Sequence, residues 1–145
     1  MTGRILGLDY GAKTVGVAVS DALGVTAQPV ETITRDREAK LRQTLSRIEE
    51  LVREYKAPLI VLGFPKMMNN TLGERADKTL EFKALLEKRT GLPVVLQDER
   101  LSTAEAERLM IEGGVTGRSK RKSSIDAVAA SIILQIYMER MHSDV

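Results

Sequence analysis

The 145-residue chain contains no cysteine, which excludes disulfides and zinc sites built on thiolates. Tryptophan is also absent and aromatic residues make up 3%, so stacking of unpaired bases on aromatic side chains is not expected as the main mode of binding. The longest apolar stretch, Ala127 to Leu134, is far too short to span a bilayer. The one histidine, His142, falls in an expected frayed tail over about 141–145 and is a poor candidate for a base or ligand.

The composition that remains is that of a globular protein, with 43% hydrophobic and 29% charged residues. The length fits one domain over 1–145. The start of the chain runs straight into an apolar strand pattern without the features of a signal peptide, so we expect a cytoplasmic protein with no membrane partner. The net charge of +2 says little about an acidic partner, so the placement of the charges matters more than their sum.

The first third of the chain predicts three strands. Residues 4–9 read as a buried strand, a short connection follows, and 14–20 read as its hairpin partner. A third extended segment, 25–34, contains Pro29, which lacks the backbone donor that a central strand needs. We therefore expect it at an edge of the sheet.

The rest of the chain alternates helices and strands, with apolar spacings of three and four marking the helices. In order, these segments are a helix over 36–55, a strand over 58–62, a helix from the capping box 71–74 to about Arg89, a strand over 94–97, a helix from Ser102 toward Glu112, a basic loop over 118–122 and an amphipathic helix from about Ile125. Strands separated by helices pair in parallel, so the sequence predicts an α/β fold. Its mixed five-stranded sheet has three antiparallel and two parallel strands, with helices on both faces.

Several carboxylates fall where the parallel strands end, which is where open α/β sheets usually build their sites. Asp9 ends the first strand, Asp98 and Glu99 end the last, and Asp126 lies near the start of the final helix. A group of carboxylates repels itself unless a cation lies between its members, and hard divalent ions prefer such oxygen ligands. The pattern predicts Mg²⁺, for which Mn²⁺ can substitute, held by Asp9, Glu99 and Asp126 for metal-assisted hydrolysis of a phosphodiester.

Each acid also has a structural interpretation. Asp9 could be a turn residue, Asp98 or Glu99 could pair with Arg100, and Asp126 fits the last position of a capping box that begins at Ser123. Asp98 and Glu99 are adjacent, so in a continuing strand only one of them can face the metal. We favour Glu99 and keep Asp98 as a second catalytic candidate.

Basic and amide residues near the same edge are the candidates for contact with nucleic acid. Glycines 7, 11 and 16 surround Asp9, and they favour either close backbone packing or the approach of a phosphate backbone. The candidate contact residues lie at the first hairpin tip, in the 63–70 loop, after the last strand and before the final helix; they are Lys13, Lys66, Asn69, Arg100, Arg118, Lys120, Arg121 and Lys122.

Four motifs together resemble the YqgF/RuvX family over essentially the whole chain. They are Gly7-Leu-Asp9-Tyr-Gly11 with Gly16-Val-Ala-Val-Ser-Asp21, Gly63-Phe-Pro-Lys66, Asp98-Glu-Arg100-Leu-Ser-Thr103 and Ile125-Asp126-Ala-Val-Ala-Ala130. The resemblance implies a ribonuclease-H-like fold, relatedness to the RuvC Holliday-junction resolvases and trimming of the 5′ end of the 16S ribosomal RNA precursor. It also implies an acidic site at Asp9, Glu99 with Asp98 beside it, and Asp126.

The family resemblance is incomplete in one loop, where Met67-Met-Asn-Asn70 stands in place of the frequent Asn-Met-Asn/Asp-Gly. We expect a monomer or homodimer that acts on structured RNA or on branched DNA. The competing functions are a DNA junction resolvase and a non-catalytic RNA-binding assembly factor. An actin-like nucleotide-binding domain is disfavoured, because that family needs two such domains and this length supplies one.

Overall fold

The structure is a computed structural model that describes residues 3–65, 73–98 and 118–143, with the side chains of the last segment described over 125–141. Its elements in chain order are β1 (Leu6–Tyr10), β2 (Thr14–Ser20), β3 (Ala27–Thr34), α1 (Arg42–Tyr55), β4 (Ile60–Phe64), α2 (Glu74–Thr90), β5 (Val94–Asp98) and α3 (Arg118–Ser143). The helix predicted over 102–112 lies outside the described residues. No helix in the described part of the chain is long and apolar enough to cross a membrane.

The five strands form one mixed sheet in the order β3-β2-β1-β4-β5. β1 pairs antiparallel with β2, and β2 with β3, whereas β1 pairs parallel with β4, and β4 with β5. The prediction of three antiparallel and two parallel strands is therefore confirmed. Pro29 lies in β3 at the edge of the sheet, where the missing N–H interrupts no second ladder.

The sheet separates two apolar layers, so helices on both faces are confirmed. Leu6, Leu8 and Tyr10 of β1 face a cluster that includes Leu45, Ile48 and Leu51 of α1 together with Phe82 and Leu86 of α2. The other face carries Ala18 and Val61, which pack against α3 through Ala130, Ile133, Leu134 and Met138. Alternate residues of each strand therefore point to α1 and α2 on one side and to α3 on the other.

Two predicted helix starts are wrong. α1 begins at Arg42 instead of residue 36, because the backbone before it makes other hydrogen bonds. The N–H of Lys40 closes a turn on Arg37 O at 3.0 Å, and the N–H of Arg35 donates to Lys13 O of the first hairpin at 2.8 Å. α2 begins at Glu74 with Gly73 as its N-cap, and not at the capping box predicted from residue 71. Glycine is an accepted N-cap residue, so no side-chain cap is needed there.

α3 is longer than predicted at both ends. It begins at Arg118, so the basic run 118–122 forms its first turns and is not a loop. No glycine or proline follows Gly117, and Arg and Lys are good helix formers, so nothing in that run stops the helix. The helix also continues to Ser143, through residues where a frayed tail is expected.

Candidate metal and nucleic-acid site

Asp9 lies near the carboxyl end of β1, on the face of the sheet that α3 covers. Its neighbours Leu8 and Tyr10 belong to the core on the α1 and α2 side, so the alternation of the strand turns Asp9 to the other face. The residue directly across the ladder is Gly16 of β2. Opposite residues of an antiparallel pair point to the same face, with Cα atoms about 4.5–5.5 Å apart. Asp9 therefore lies beside Gly16 on the same face of the sheet, and it is half-buried there.

Asp126 reaches the same place from α3. A Cβ atom added to Gly16 would lie 1.9 Å from the carbonyl oxygen of Asp126 and 2.8 Å from the amide nitrogen of Ala127. The helix backbone therefore rests directly on β2 at the position opposite Asp9. Because Asp126 lies eight residues inside α3, the capping-box interpretation of its side chain is wrong.

The glycines around Asp9 serve the close packing of α3. A Cβ atom at Gly7 would lie 2.8 Å from the Cβ of Leu134 and 3.2 Å from the carbonyl oxygen of Ala130. Gly7 and Gly16 thus give α3 the space to lie against β1 and β2. The alternative, that these two glycines admit a phosphate backbone, is wrong because the helix occupies that space. Gly11 is in the turn, where its N–H donates to Thr14 O at 2.7 Å.

Asp98 ends β5 on the opposite face of the sheet. Val94 and Leu96, at alternate positions of the strand, pack with the core under α1 and α2. Gln97 points the other way, where its Oε1 accepts a hydrogen bond from Arg140 of α3 at 3.3 Å. The structure thus brings Asp9 and Asp126 together and does not bring Asp98 to them. Glu99, the other member of the adjacent pair, lies outside the described residues.

The donor set fits a hard divalent cation. Asp9 and Asp126 are two half-buried carboxylates on one face, and carboxylate oxygens are the ligands that Mg²⁺ prefers. Within residues 3–65, 73–98 and 118–143, no group of three acidic or histidine side chains is close enough to hold a metal ion. A complete site therefore needs a further ligand from the substrate, from water or from the rest of the chain.

Of the candidate nucleic-acid contacts, Lys13 is exposed at the tip of the β1–β2 hairpin, at the same edge as Asp9. Arg118, Lys120, Arg121 and Lys122 belong to the first turns of α3, upstream of Asp126 on the same helix. Lys122 precedes Asp126 by four residues, about one helical turn. Lys66, Asn69 and Arg100 lie outside the described residues.

One polar cluster at this edge could not be predicted from the sequence. Arg35, after β3, and Arg75, in the first turn of α2, both lie over the ring of Tyr10, with guanidinium carbons 4.9 and 5.0 Å from its centroid. Tyr10 also stacks on Phe82, with ring centroids 4.1 Å apart. These residues are far apart in the chain and meet only in the folded protein, so no local pattern could have identified them.

Comparison with known proteins gives the family. The model described as "RuvX: Holliday junction resolvase" matches residues 3–140. The chain belongs to the RuvX family. A relative from Agathobacter rectalis, named "Putative pre-16S rRNA nuclease", is 58% identical over 136 residues, which cover 94% of each chain. A relative of the same name from Listeria innocua is 54% identical and covers 94% of this chain and 97% of its own.

Solved structures give the fold of this RuvX protein. RuvC from Thermus thermophilus, in complex with a Holliday junction substrate, is similar with a TM-score of 0.58 at 16% identity, covering 97% of both chains. A second RuvC structure from the same organism gives a TM-score of 0.56 at 17% identity and covers 96% of both chains. The ribonuclease-H-like fold expected from the sequence is thus confirmed, as is the family.

Proposed function

We propose that the protein is a Mg²⁺-dependent nuclease that hydrolyses phosphodiester bonds during 5′-end processing of the 16S ribosomal RNA precursor in the cytoplasm. The observation that carries the proposal is the close packing of α3 against β2 at Gly16. The residue opposite Gly16 in the sheet is Asp9, and the helix backbone in contact with Gly16 is that of Asp126. This packing supports a shared site for two carboxylates that come from distant parts of the sequence.

The proposed metal ligands are Asp9, Asp126 and Glu99. When bound, Mg²⁺ supplies a Lewis acid that stabilises negative charge on the phosphate oxygens and lowers the pKa of bound water. Asp9 is held by the β1 ladder and Asp126 by the contact of α3 with β2, so both ligands are fixed by rigid elements. Asp98 is not proposed as a ligand, because it points to the α1 and α2 side.

The choice of RNA as substrate rests on the relatives. The two named above carry the name of a 16S rRNA precursor nuclease at 54% and 58% identity, whereas the RuvC likeness at 16% identity shows only the fold. Lys13 follows Asp9 by four residues and the basic first turns of α3 precede Asp126, and both are proposed to contact the phosphate backbone.

The test offers purified protein and Mg²⁺ two substrates, a precursor 16S RNA fragment that spans the mature 5′ end and a four-way DNA junction. We expect cleavage of the RNA by the wild-type protein and a loss of at least about 100-fold in rate for Asp9→Asn and Asp126→Asn, since each removes a charged ligand. Asp77→Asn is the matched control, because it makes the same chemical change on an exposed position of α2.

The outcomes separate the alternatives. Cleavage of the DNA junction alone would replace the RNA assignment with junction resolution. Cleavage of neither substrate, or equal cleavage by Asp9→Asn and wild-type protein, would contradict the nuclease proposal. Retained ribosome maturation in cells that carry an Asp9→Asn, Asp126→Asn double variant would favour the non-catalytic assembly factor.

A further inference from the structure

The cluster at Tyr10 holds more positive charge than its partners compensate. Arg35 donates from Nε to Glu38 O at 3.1 Å and from Nη2 to Gly11 O at 2.6 Å. Arg75 donates from Nη1 to Glu38 Oε1 at 2.7 Å. Three guanidinium nitrogens, Arg35 Nη1 with Arg75 Nε and Nη2, are buried without a hydrogen-bond partner. Buried donors without partners cost free energy, and the cost is larger when the group is charged.

Glu38 is the one carboxylate that pairs with these guanidinium groups among the described residues, and it is shared. Its Oε2 lies 3.8 Å from Lys78 Nζ, so one negative charge serves Arg75 and Lys78 and lies near Arg35. The hydrogen bond from Arg75 lowers the pKa of Glu38, so the carboxylate stays ionised. Burial lowers the pKa of Arg35, and the charge of Arg75 acts in the same direction.

A pocket reaches this cluster at Arg35. It has a volume of about 510 Å³ and is lined by residues 34–36 and 39–43, which include Arg35, Lys40, Arg42 and one acid, Asp36. Lys40 and Arg42 are exposed, and neither forms an ion pair with a described residue. Arg42 is the first residue of α1, where a cation is unfavourable to the helix dipole, so helix stability does not explain it. Three cations and one acid leave the pocket with a net positive charge.

The pocket lies at the same edge of the sheet as Asp9. The backbone N–H of Arg35 donates to the carbonyl oxygen of Lys13, at the tip of the hairpin that follows Asp9. Tyr10, which both arginines contact, is the next residue after Asp9. Asp9 faces α3 and the pocket opens on the α1 side, so a nucleic-acid strand must pass over this edge of the sheet to contact both.

We propose that Arg35, Lys40 and Arg42 form a phosphate subsite that binds the nucleic-acid backbone beside the cleavage position. This subsite rests on the proposed nuclease function for the identity of its ligand. It contributes affinity and sets the path of the strand, and it takes no part in the bond cleavage. Lys40 and Arg42 supply long-range attraction at the mouth of the pocket, and Arg35 supplies a directional donor in its wall.

The test measures binding of a single-stranded RNA oligonucleotide by fluorescence anisotropy from 0.05 to 0.5 M salt. All proteins carry Asp9→Asn and are kept in EDTA, so no cleavage occurs. Loss of two phosphate contacts lowers the slope of log K against log salt by about 1.4, and at 0.1 M salt weakens binding about 25-fold. We expect both effects for Lys40→Gln, Arg42→Gln. The control pair Arg53→Gln, Lys88→Gln removes the same charge from exposed positions near the other ends of α1 and α2.

A second series locates the contact on the RNA, with one phosphodiester at a time replaced by an uncharged methylphosphonate. One linkage is expected to weaken binding of the Asp9→Asn protein while having no effect on the variant that also carries Lys40→Gln, Arg42→Gln. Equal affinities and slopes for the pocket and control pairs would overturn the subsite, as would the absence of any such linkage. Because cleavage is not measured, these results are distinct from a failure of the wild-type protein to cut, which would overturn the nuclease proposal.

Discussion

Replacement of Gly16 by alanine tests how α3 is held against the sheet. A Cβ atom there would lie 1.9 Å from the Asp126 carbonyl oxygen, whereas real Cβ atoms essentially never come closer than 3.0 Å. The helix and β2 must separate by about 1.1 Å at this point, and the obstacle is backbone, which cannot rotate away. Overpacking of this kind costs about 1–3 kcal/mol of stability. A displacement of about 1 Å between reacting groups lowers a rate about 100-fold.

The assay compares kcat for RNA cleavage with the free energy of unfolding in urea, at a temperature where the variants are fully folded. Gly7→Ala is the matched control, since its Cβ meets the Leu134 side chain at 2.8 Å, eight residues beyond Asp126. Its loss of stability is expected to be similar, but its loss of kcat is expected to be smaller than that of Gly16→Ala, because the contact lies two helical turns from Asp126. A folded Gly16→Ala protein with wild-type kcat and metal affinity would refute the reasoning that this contact positions Asp126.

Three further predictions concern stability. Phe82→Ala should lose about 3–5 kcal/mol in urea unfolding, because the side chain is fully buried and stacks on Tyr10; a loss below about 1 kcal/mol would contradict its place in the core. A double-mutant cycle on Arg47 and Glu31 should give a coupling below about 1 kcal/mol, since both side chains are about a third exposed, and a value above about 2 kcal/mol would disagree. The backbone N–H of Val25 donates a hydrogen bond to Asp21 and lowers the pKa of its carboxyl group. In urea unfolding, the wild-type protein should therefore be more stable than Asp21→Asn, with the full difference above about pH 3.9 and none once the pH falls below the lowered pKa. A difference that persists in stronger acid would contradict this.

Much of the sheet could be predicted from the sequence. The apolar runs that became β1, β4 and β5 are buried on at least one face, and Pro29 marked β3 as an edge strand. These features are local, since an apolar run or a proline constrains its own segment whatever the rest of the chain does. The apolar face of α1 could also be predicted, and its residues Leu45, Ile48 and Leu51 are buried.

The helix starts could not be predicted, because distant partners decide them. Residues 35–41 continue the helical pattern of α1 in sequence, but Arg35 is fixed by Lys13 O and Gly11 O on the first hairpin. At α3 the helix begins earlier than the sequence predicts, not later. The serines at 123 and 124 offer a capping signal, yet the helix already runs from Arg118 and continues through them.

The candidate site was predicted in part. The packing of α3 on β2 places the backbone of Asp126 against Gly16, opposite Asp9, and this contact depends on which helix lies over β2. Sequence alone allowed either a helix or a phosphate backbone at that surface. The choice between Asp98 and Glu99 depended on which residues of β5 face each side of the sheet. Val94 and Leu96 pack on the α1 and α2 side, so the alternation of the strand turns Asp98 to that side as well.

Crystals soaked in Mn²⁺ would test the central claim most directly, by anomalous diffraction at the manganese edge. The account predicts a peak on the α3 face of the sheet, with carboxylate oxygens of Asp9 and Asp126 within about 2.5 Å of the metal. A peak that contacts Asp98 on the opposite face, or that contacts neither Asp9 nor Asp126, would contradict it.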